Sequence, residues 1–155
     1  IEECDWSSDV CSSDLTKYEP GEVKVVAYDK NGKAVAEKVV RTAGKPHHIE
    51  LVSNRNELTA DGKDLAYVTV KVVDKDGNLC PADNRQINFS VKGTGKYRAA
   101  ANGDPTNLEQ FHLPKMHAFN GMLTAILQAG ETAGEIVFTA KANGVKAGNI
   151  RIQTK

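Results

Sequence analysis

Apolar and polar residues alternate with a period of two along most of this chain, and no segment of useful length carries a helical period. Tyr67-Val68-Thr69-Val70-Lys71-Val72 is the cleanest case, with three valines on one face and Tyr67, Thr69 and Lys71 on the other, as a half-buried strand requires. Runs of the same kind predict strands at His48–Val52, Glu57–Thr59, Ala66–Asp74, Gln86–Val91, Tyr97–Ala101, Met122–Gln128, Glu135–Ala142 and Val145–Gln153. Turn formers separate them: Asp61-Gly62, Asp76-Gly77-Asn78, Gly93-Thr94-Gly95, residues 130–134 and Asn143-Gly144. Six to eight short strands over about 110 residues predict an all-β, immunoglobulin-like β-sandwich across residues 46–155. Alternation assigns its core to Ile49, Leu51, Val68, Val70, Val72, Ile87, Phe89, Val91, Ile126, Ile136, Phe138, Ile150 and Ile152.

Upstream, Val23–Tyr28 and Val35–Thr42 are β-branched runs joined by Asp29-Lys30-Asn31-Gly32-Lys33. Asn-Gly in that position predicts a hairpin whose two turn residues both adopt positive φ. Two strands are too few to be stable alone. Residues 16–45 are therefore expected to be the terminal hairpin of an incomplete second sandwich. Ala43-Gly44-Lys45-Pro46, small residues and then a proline that enforces an extended entry, is the expected boundary.

One stretch breaks the rhythm. Residues 102–121 form a long connection containing Pro105 and Pro114, and loops of that length are usually functional or structurally specialised. Asn102-Gly103-Asp104-Pro105-Thr106 predicts a tight turn, and Asn120-Gly121 a second one. Phe111 and Phe119 are expected to anchor the excursion on the sandwich edge. Asp104, Glu109 and Asn120 are the candidate binding residues. On one reading the two acids bond within the loop or brace a neighbouring module. On the other, all three converge to hold sugar hydroxyls or a cation. The first is favoured, because Asx residues commonly cap turns and residues 102–121 contain no tryptophan to serve as a sugar platform.

Composition narrows the function classes. The 155 residues are well short of the ~250 that a (β/α)₈ enzyme barrel needs. No apolar run approaches the ~20 residues of a membrane span. Lys+Arg and Asp+Glu balance at 20 each, but residues 1–15 hold five acids and no Lys or Arg. The remainder therefore has 20 basic against 15 acidic side chains, a formal +5. That excess is scattered and lacks the clustered basic face with adjacent aromatics that nucleic acid demands, so no nucleic-acid partner is expected.

Residues 1–15 also hold four serines and two of the three cysteines. Cys4 and Cys11 suggest a disulfide or metal arm, but a seven-residue spacing without histidine matches no common zinc pattern. An acidic disordered tail is a second reading. The segment DWSSDVCSSDL (Asp5–Leu15) resembles one reading frame of a short-read sequencing adaptor, so residues 1–15 are treated as an artefact or disordered and given no function. They lack the basic start and apolar stretch of a signal peptide. The adaptor reading implies a gene fragment truncated on its N-terminal side.

No constellation supports catalysis or metal binding. Asp74-Lys75-Asp76-Gly77-Asn78 has its glycine fourth rather than sixth, and Arg85 where an EF-hand needs glutamate. A hairpin turn is expected there instead. His47 and His48, adjacent at a strand start, should point to opposite faces. His112 and His117 flank Pro114 and can meet, but no cysteine or carboxylate completes a metal spacing. Asp104 with Glu109, or Glu131 with Glu135, can supply two carboxyls, yet a small sandwich offers no cleft to set them ~5–9 Å apart across a sugar. Nucleophile elbows, phosphate-cradling glycine loops and Cys/His pairs are missing. No catalytic residue, metal or cofactor is expected.

Three stretches carry a resemblance: YEPGEVKVVAYDKNGKAVAEKVVRTAGKP (Tyr18–Pro46), LTADGKDLAYVTVKVVDKDGNLCPADN (Leu58–Asn84), and FSVKGTGKYRAAANGDPTNLEQF with AFNGMLTAILQ (within Phe89–Gln128). From Tyr18 onward, about nine tenths of its length, the chain resembles the C-terminal accessory region of bacterial glycoside hydrolase family 2 enzymes of the β-galactosidase type. The resemblance implies that residues 16–45 end an immunoglobulin-like module behind a catalytic barrel. It implies that residues 46–155 form a further sandwich of the bacterial Ig-like, invasin type. The parent would be a secreted or periplasmic enzyme hydrolysing β-galactosides or related β-glycosides, its catalytic glutamates lying upstream of Thr16. Partners would be the upstream domains of the same chain and possibly a polysaccharide. A carbohydrate-binding module or a surface-adhesion domain is the alternative on the same fold. Cys80 stands where the family usually has an apolar residue.

Overall fold

The computed structural model describes residues 19–155, so the expectations for residues 1–15, including Cys4 and Cys11, lie outside the described residues. The chain divides into two compact units, one ending at Thr42 and the other running Ala43–Lys155.

The first unit is a hairpin of β1 (Glu22–Tyr28) and β2 (Ala34–Arg41). Pairing puts Val23 beside Val40, Val25 beside Lys38 and Ala27 beside Ala36 on one face. The other face carries the ion pairs Lys24–Glu37 and Arg41–Glu22. Val23, Val25, Val35 and Val40 are all exposed. The turn departs from the expected form. Gly32 alone is at positive φ, its N–H donating to the Asp29 carbonyl at 3.0 Å, while Asn31 is not at positive φ. The Asp29 carboxylate accepts the amides of Asn31 and Lys33. A side chain able to bond the backbone two residues on outcompetes the two-residue turn, leaving a glycine-closed loop with a register shift beside it.

The second unit is an all-β, immunoglobulin-like sandwich. Its strands are β3 (His48–Ser53), β4 (Glu57–Leu58), β5 (Leu65–Val73), β6 (Gln86–Gly93), β7 (Gly95–Ala101), β8 (Lys115–His117), β9 (Met122–Ala129), β10 (Gly134–Lys141) and β11 (Gly148–Thr154). One sheet has the order β3-β5-β9-β7 and the other β4-β11-β10-β6-β8. Their inner faces meet in a core of Val68, Val70, Val72, Ile87, Phe138 and Ile152, with Phe89 stacked against Tyr97 at a 5.6 Å centroid distance.

Most of the expected core residues are buried, and Leu51, Val91 and Ile150 pack against it partly buried. Ile126 is the exception. Strand β9 reads Met-Leu-Thr-Ala-Ile-Leu-Gln-Ala, apolar on both parities, and it buries Leu123, Ala125, Leu127 and Ala129. Ile126 pairs with Tyr67 on the outer face. Alternation alone gives no unique parity here, and the registers with β5 and β7 fix it.

The chain passes between sheets at Gly93-Thr94-Gly95 without a loop. Gly93 is at φ 96°, and a Cβ there would collide with the Glu135 carbonyl. Only glycine can follow that path.

Candidate functional site

The candidate residues lie on the excursion from β7 to β9. Three side chains build its first half, each bonding the backbone two residues on. Asn102 Oδ1 accepts the Asp104 amide at 3.1 Å, Asp104 Oδ1 accepts the Thr106 amide at 2.8 Å, and Asn107 Oδ1 accepts the Glu109 amide at 2.9 Å. The Thr106 hydroxyl also donates to Asp104 Oδ1 at 2.7 Å. The Thr106 amide, aided by that hydroxyl, holds the Asp104 carboxyl below its ordinary value.

Glu109 ties this half to β8. Its Oε2 accepts the His117 amide at 3.0 Å, and its Oε1 lies 3.0 Å from His117 Nδ1. Partial burial opposes ionisation, but the His117 amide and ring outweigh it and keep the carboxyl below the usual range. Asn102 Nδ2 closes the circuit by donating to the His117 carbonyl at 3.0 Å.

Asn120 belongs to a different construction. Its φ is +52°, the one positive value among the described non-glycine residues, and Gly121 follows at 76°. Phe119 and Met122 exchange backbone hydrogen bonds across them at 2.9 and 3.0 Å. This is the two-residue Asn-Gly hairpin loop that Asn31-Gly32 does not form. The Asn120 amide donates to Asn84 Oδ1. Asp104 and Glu109 thus share one hydrogen-bonded circuit through Asn102, Asn107 and His117, and Asn120 sits in a separate turn. Asn102, Asn107 and His117 are not among the expected binding residues, although the Asn-x-Asp-x-Thr spacing is the signature of successive Asx turns.

The loop is pinned differently from expectation. Phe111 is 54% exposed and Phe119 is half-buried, whereas Met116 and Ala118 are buried. Phe111 contributes through its carbonyl, which accepts the Ala100 amide at 2.8 Å and the Tyr97 hydroxyl at 3.1 Å. Tyr97 Oη also donates to the Leu113 carbonyl at 2.8 Å, and burial pushes its ionisation up to about 12. A three-residue strand flanked by charge, Lys-Met-His, is too short for alternation to reveal, which is why β8 was missed.

Several other acids are occupied structurally. Asp74 Oδ1 accepts the amides of Asp76 and Asn78, the same turn that Asp29 builds. Asp83 pairs with Arg85 through contacts of 2.6–2.9 Å, and Arg85 Nη1 donates to the Asn143 carbonyl at 2.6 Å. Glu135 pairs with Arg151. His47 and His48 do not diverge: their Nδ1 atoms lie 3.1 Å apart, because His47 precedes the strand and escapes its alternation. His117 pairs with Glu109, and His112 is exposed. Among the described residues no three His, Cys, Asp or Glu side chains are grouped to hold a metal. Cys80 is buried, and burial, reinforced by the charges of Asp74 and Asp83, pushes its thiol up.

Residues 49–151 match the family described as glycoside hydrolase family 2 C-terminal domain 5. This chain belongs to that family. A β-galactosidase of Bacteroides ovatus, BoGH2A, is 43% identical over 139 residues, which are 90% of this chain and 16% of that protein. The fold of this family 2 domain is shared with a family 2 member from Bacteroides cellulosilyticus (TM-score 0.82, 30% identity, 90% of this chain and 18% of that one). A β-glycosidase from Bacteroides vulgatus is similar too (TM-score 0.84, 27% identity, 90% and 18%). The chain spans about a sixth of the length of the curated relatives it matches. Among the described residues no helix is long and apolar enough to cross a membrane.

Proposed function

We propose that this chain is a non-catalytic accessory region of a family 2 glycoside hydrolase and serves as structural support for a catalytic part that precedes it. The parent hydrolyses β-galactosides or related β-glycosides outside the bacterial cytoplasm. The observation that carries this reading is the family match over residues 49–151 together with similarity confined to about a sixth of a β-galactosidase. The acids support it: Asp104 and Glu109 are engaged by Thr106 and His117 rather than facing each other across a cleft. The hairpin of β1 and β2 completes this scheme as the last two strands of another immunoglobulin-like module, whose remaining strands cover Val23, Val25 and Val40.

The purified chain is expected to leave a chromogenic β-galactoside intact, and the parent to cleave it. Turnover by the chain alone overturns the reading. Asp104→Ala is expected to lower the melting temperature with no ligand present. A variant of unchanged stability that has lost glycan or calcium binding makes the loop a ligand site. Micromolar affinity of the chain for a galactan replaces structural support with carbohydrate binding.

A further inference from the structure

The two outer faces of the sandwich differ in chemistry. On the five-stranded sheet, cross-strand rows read Lys115-Asn88-Lys141, Ser90-Thr139-Asn149 and Lys92-Val137-Arg151, as expected of a face turned to water. On the four-stranded sheet the central rows read Tyr67-Ile126-Ala99 and Val52-Thr69-Thr124-Ala101, with Met122 beside Lys71 in the next. Val52 and Tyr67 are 44% exposed and Met122 38%. Charge lies around these rows, in the pairs Lys71–Glu50 and Arg55–Asp64 and, on the edge strand β7, in Lys96 and in the exposed Arg98 at the bulge beside Ala99. An apolar centre with a polar rim is the composition of a protein interface.

We propose that this face, centred on Tyr67 and Ile126, is the surface on which the upstream part of the parent glycosidase packs. The proposal rests on the accessory-region reading above. Four strands span about 19 Å, and the nine residues of β5 extend about 30 Å, a footprint of the same order as the ~800 Å² each partner contributes to a standard interface. A face of half-exposed side chains interspersed with threonine offers few of the large anchors on which free association depends. A domain tethered in the same polypeptide meets the face at millimolar effective concentration, where weak complementarity suffices. Curated relatives are about six times longer than the matched region, which supplies such a tethered partner. Aliphatic Val52, Ile126 and Met122 beside a single aromatic ring suit protein better than the flat face of a sugar.

The two methionines provide the test, since Met122 lies on the face and Met116 is fully buried. Peroxide oxidation is followed by mass spectrometry in the 155-residue chain and in the full-length parent. Met122 is expected to oxidise much faster than Met116 in the chain and at least tenfold more slowly in the parent than in the chain. Ile126→Lys is expected to restore the reactivity of Met122 in the parent without changing the melting temperature of the chain. Equal Met122 rates in chain and parent overturn the proposal. Protection of Met122 in the chain alone, by added galactan oligosaccharide or by raising the chain concentration, also overturns it, in favour of a sugar or a second copy. Activity of the parent on a β-galactoside is read separately. An active parent with unprotected Met122 defeats this inference only, and an inactive parent with protected Met122 defeats the reading of its activity only.

Discussion

The carboxylate of Asp74 reaches back thirty residues to the amide of Gly44, whose N–H donates to Oδ2 at 2.8 Å. The same side chain accepts the Asp76 and Asn78 amides on Oδ1 and the Asn78 side-chain amide at 3.0 Å on Oδ2. The Gly44 amide and then the Asn78 side chain are the main causes that hold this carboxyl far below the usual carboxylate range. One residue thereby shapes its own turn and fixes the start of the second unit. Asp74→Ala is expected to lower the melting temperature and to speed hydrogen exchange at Gly44 and Asn78 together. Asp74→Asn, which keeps an acceptor, is expected to fall between the two. Loss of protection at Asn78 with Gly44 unchanged contradicts this double role.

Acid sensitivity follows from the same kind of contact. In Asp74 the Gly44 amide lowers the carboxyl, in Asp104 the Thr106 amide does, and in Asp83 the Arg85 guanidinium overcomes an opposing burial. Each depressed carboxyl contributes stability that is present above the unfolded value of about 4 and is lost as pH falls through the lower folded value. Tyr97 acts in the opposite direction: burial raises it to about 12, so its contribution is complete below about pH 10 and fades above that. Thermal melts are expected to give a plateau from about pH 5 to 9 with losses on both sides. A melting temperature that rises below pH 4 contradicts the carboxylate assignments.

Met116 and Phe111 are expected to exchange the ranks that size alone suggests. Met116 is fully buried, so Met116→Ala is expected to cost about 3 kcal/mol in denaturant unfolding. The ring of Phe111 is exposed and the residue works through its carbonyl, so Phe111→Ala is expected to cost less than about 0.5 kcal/mol. A larger loss for Phe111 identifies its ring as the anchor after all.

Gly93→Ala is expected to be among the most damaging single-methyl additions. The new Cβ meets the Glu135 carbonyl at a positive φ, which combines backbone strain with a clash against the edge of β10. A loss of at least about 2 kcal/mol is expected by chemical denaturation. Gly32→Ala meets nothing within 4 Å and carries only the φ penalty, about 1 kcal/mol. Equal losses at the two positions contradict the clash.

Alternation carried most of the sandwich, because a buried face must repeat every second residue and a one-residue slip exposes it. It failed at β9, where Met122, Thr124 and Ile126 compete with Leu123, Ala125 and Leu127 and only the neighbouring strands decide. It failed again at β8, whose three residues are paired to β6 by register and carry no visible period of their own. The turn at Asn31-Gly32 misled because Asp29, just before it, supplies a side-chain acceptor that the Asn-Gly rule ignores, while Phe119 has no such group to offer and Asn120-Gly121 follows the rule. Asp104 is legible as a capping residue from its spacing, but the partnership of Glu109 with His117 depends on β8 returning alongside β6, which no local pattern reveals.

The excursion after β7 gives its Phe111 carbonyl to Ala100 on the rim of one sheet and lays β8 along the rim of the other. Across the sandwich, Lys146 bonds His47 and Ile49 beside β3. A passing β-segment therefore finds fewer free backbone groups along β7, along β6 and at the start of β3. Copies of the second unit that are crowded together, or joined end to end with other β-modules, have a shorter run of open edge over which to trade strands.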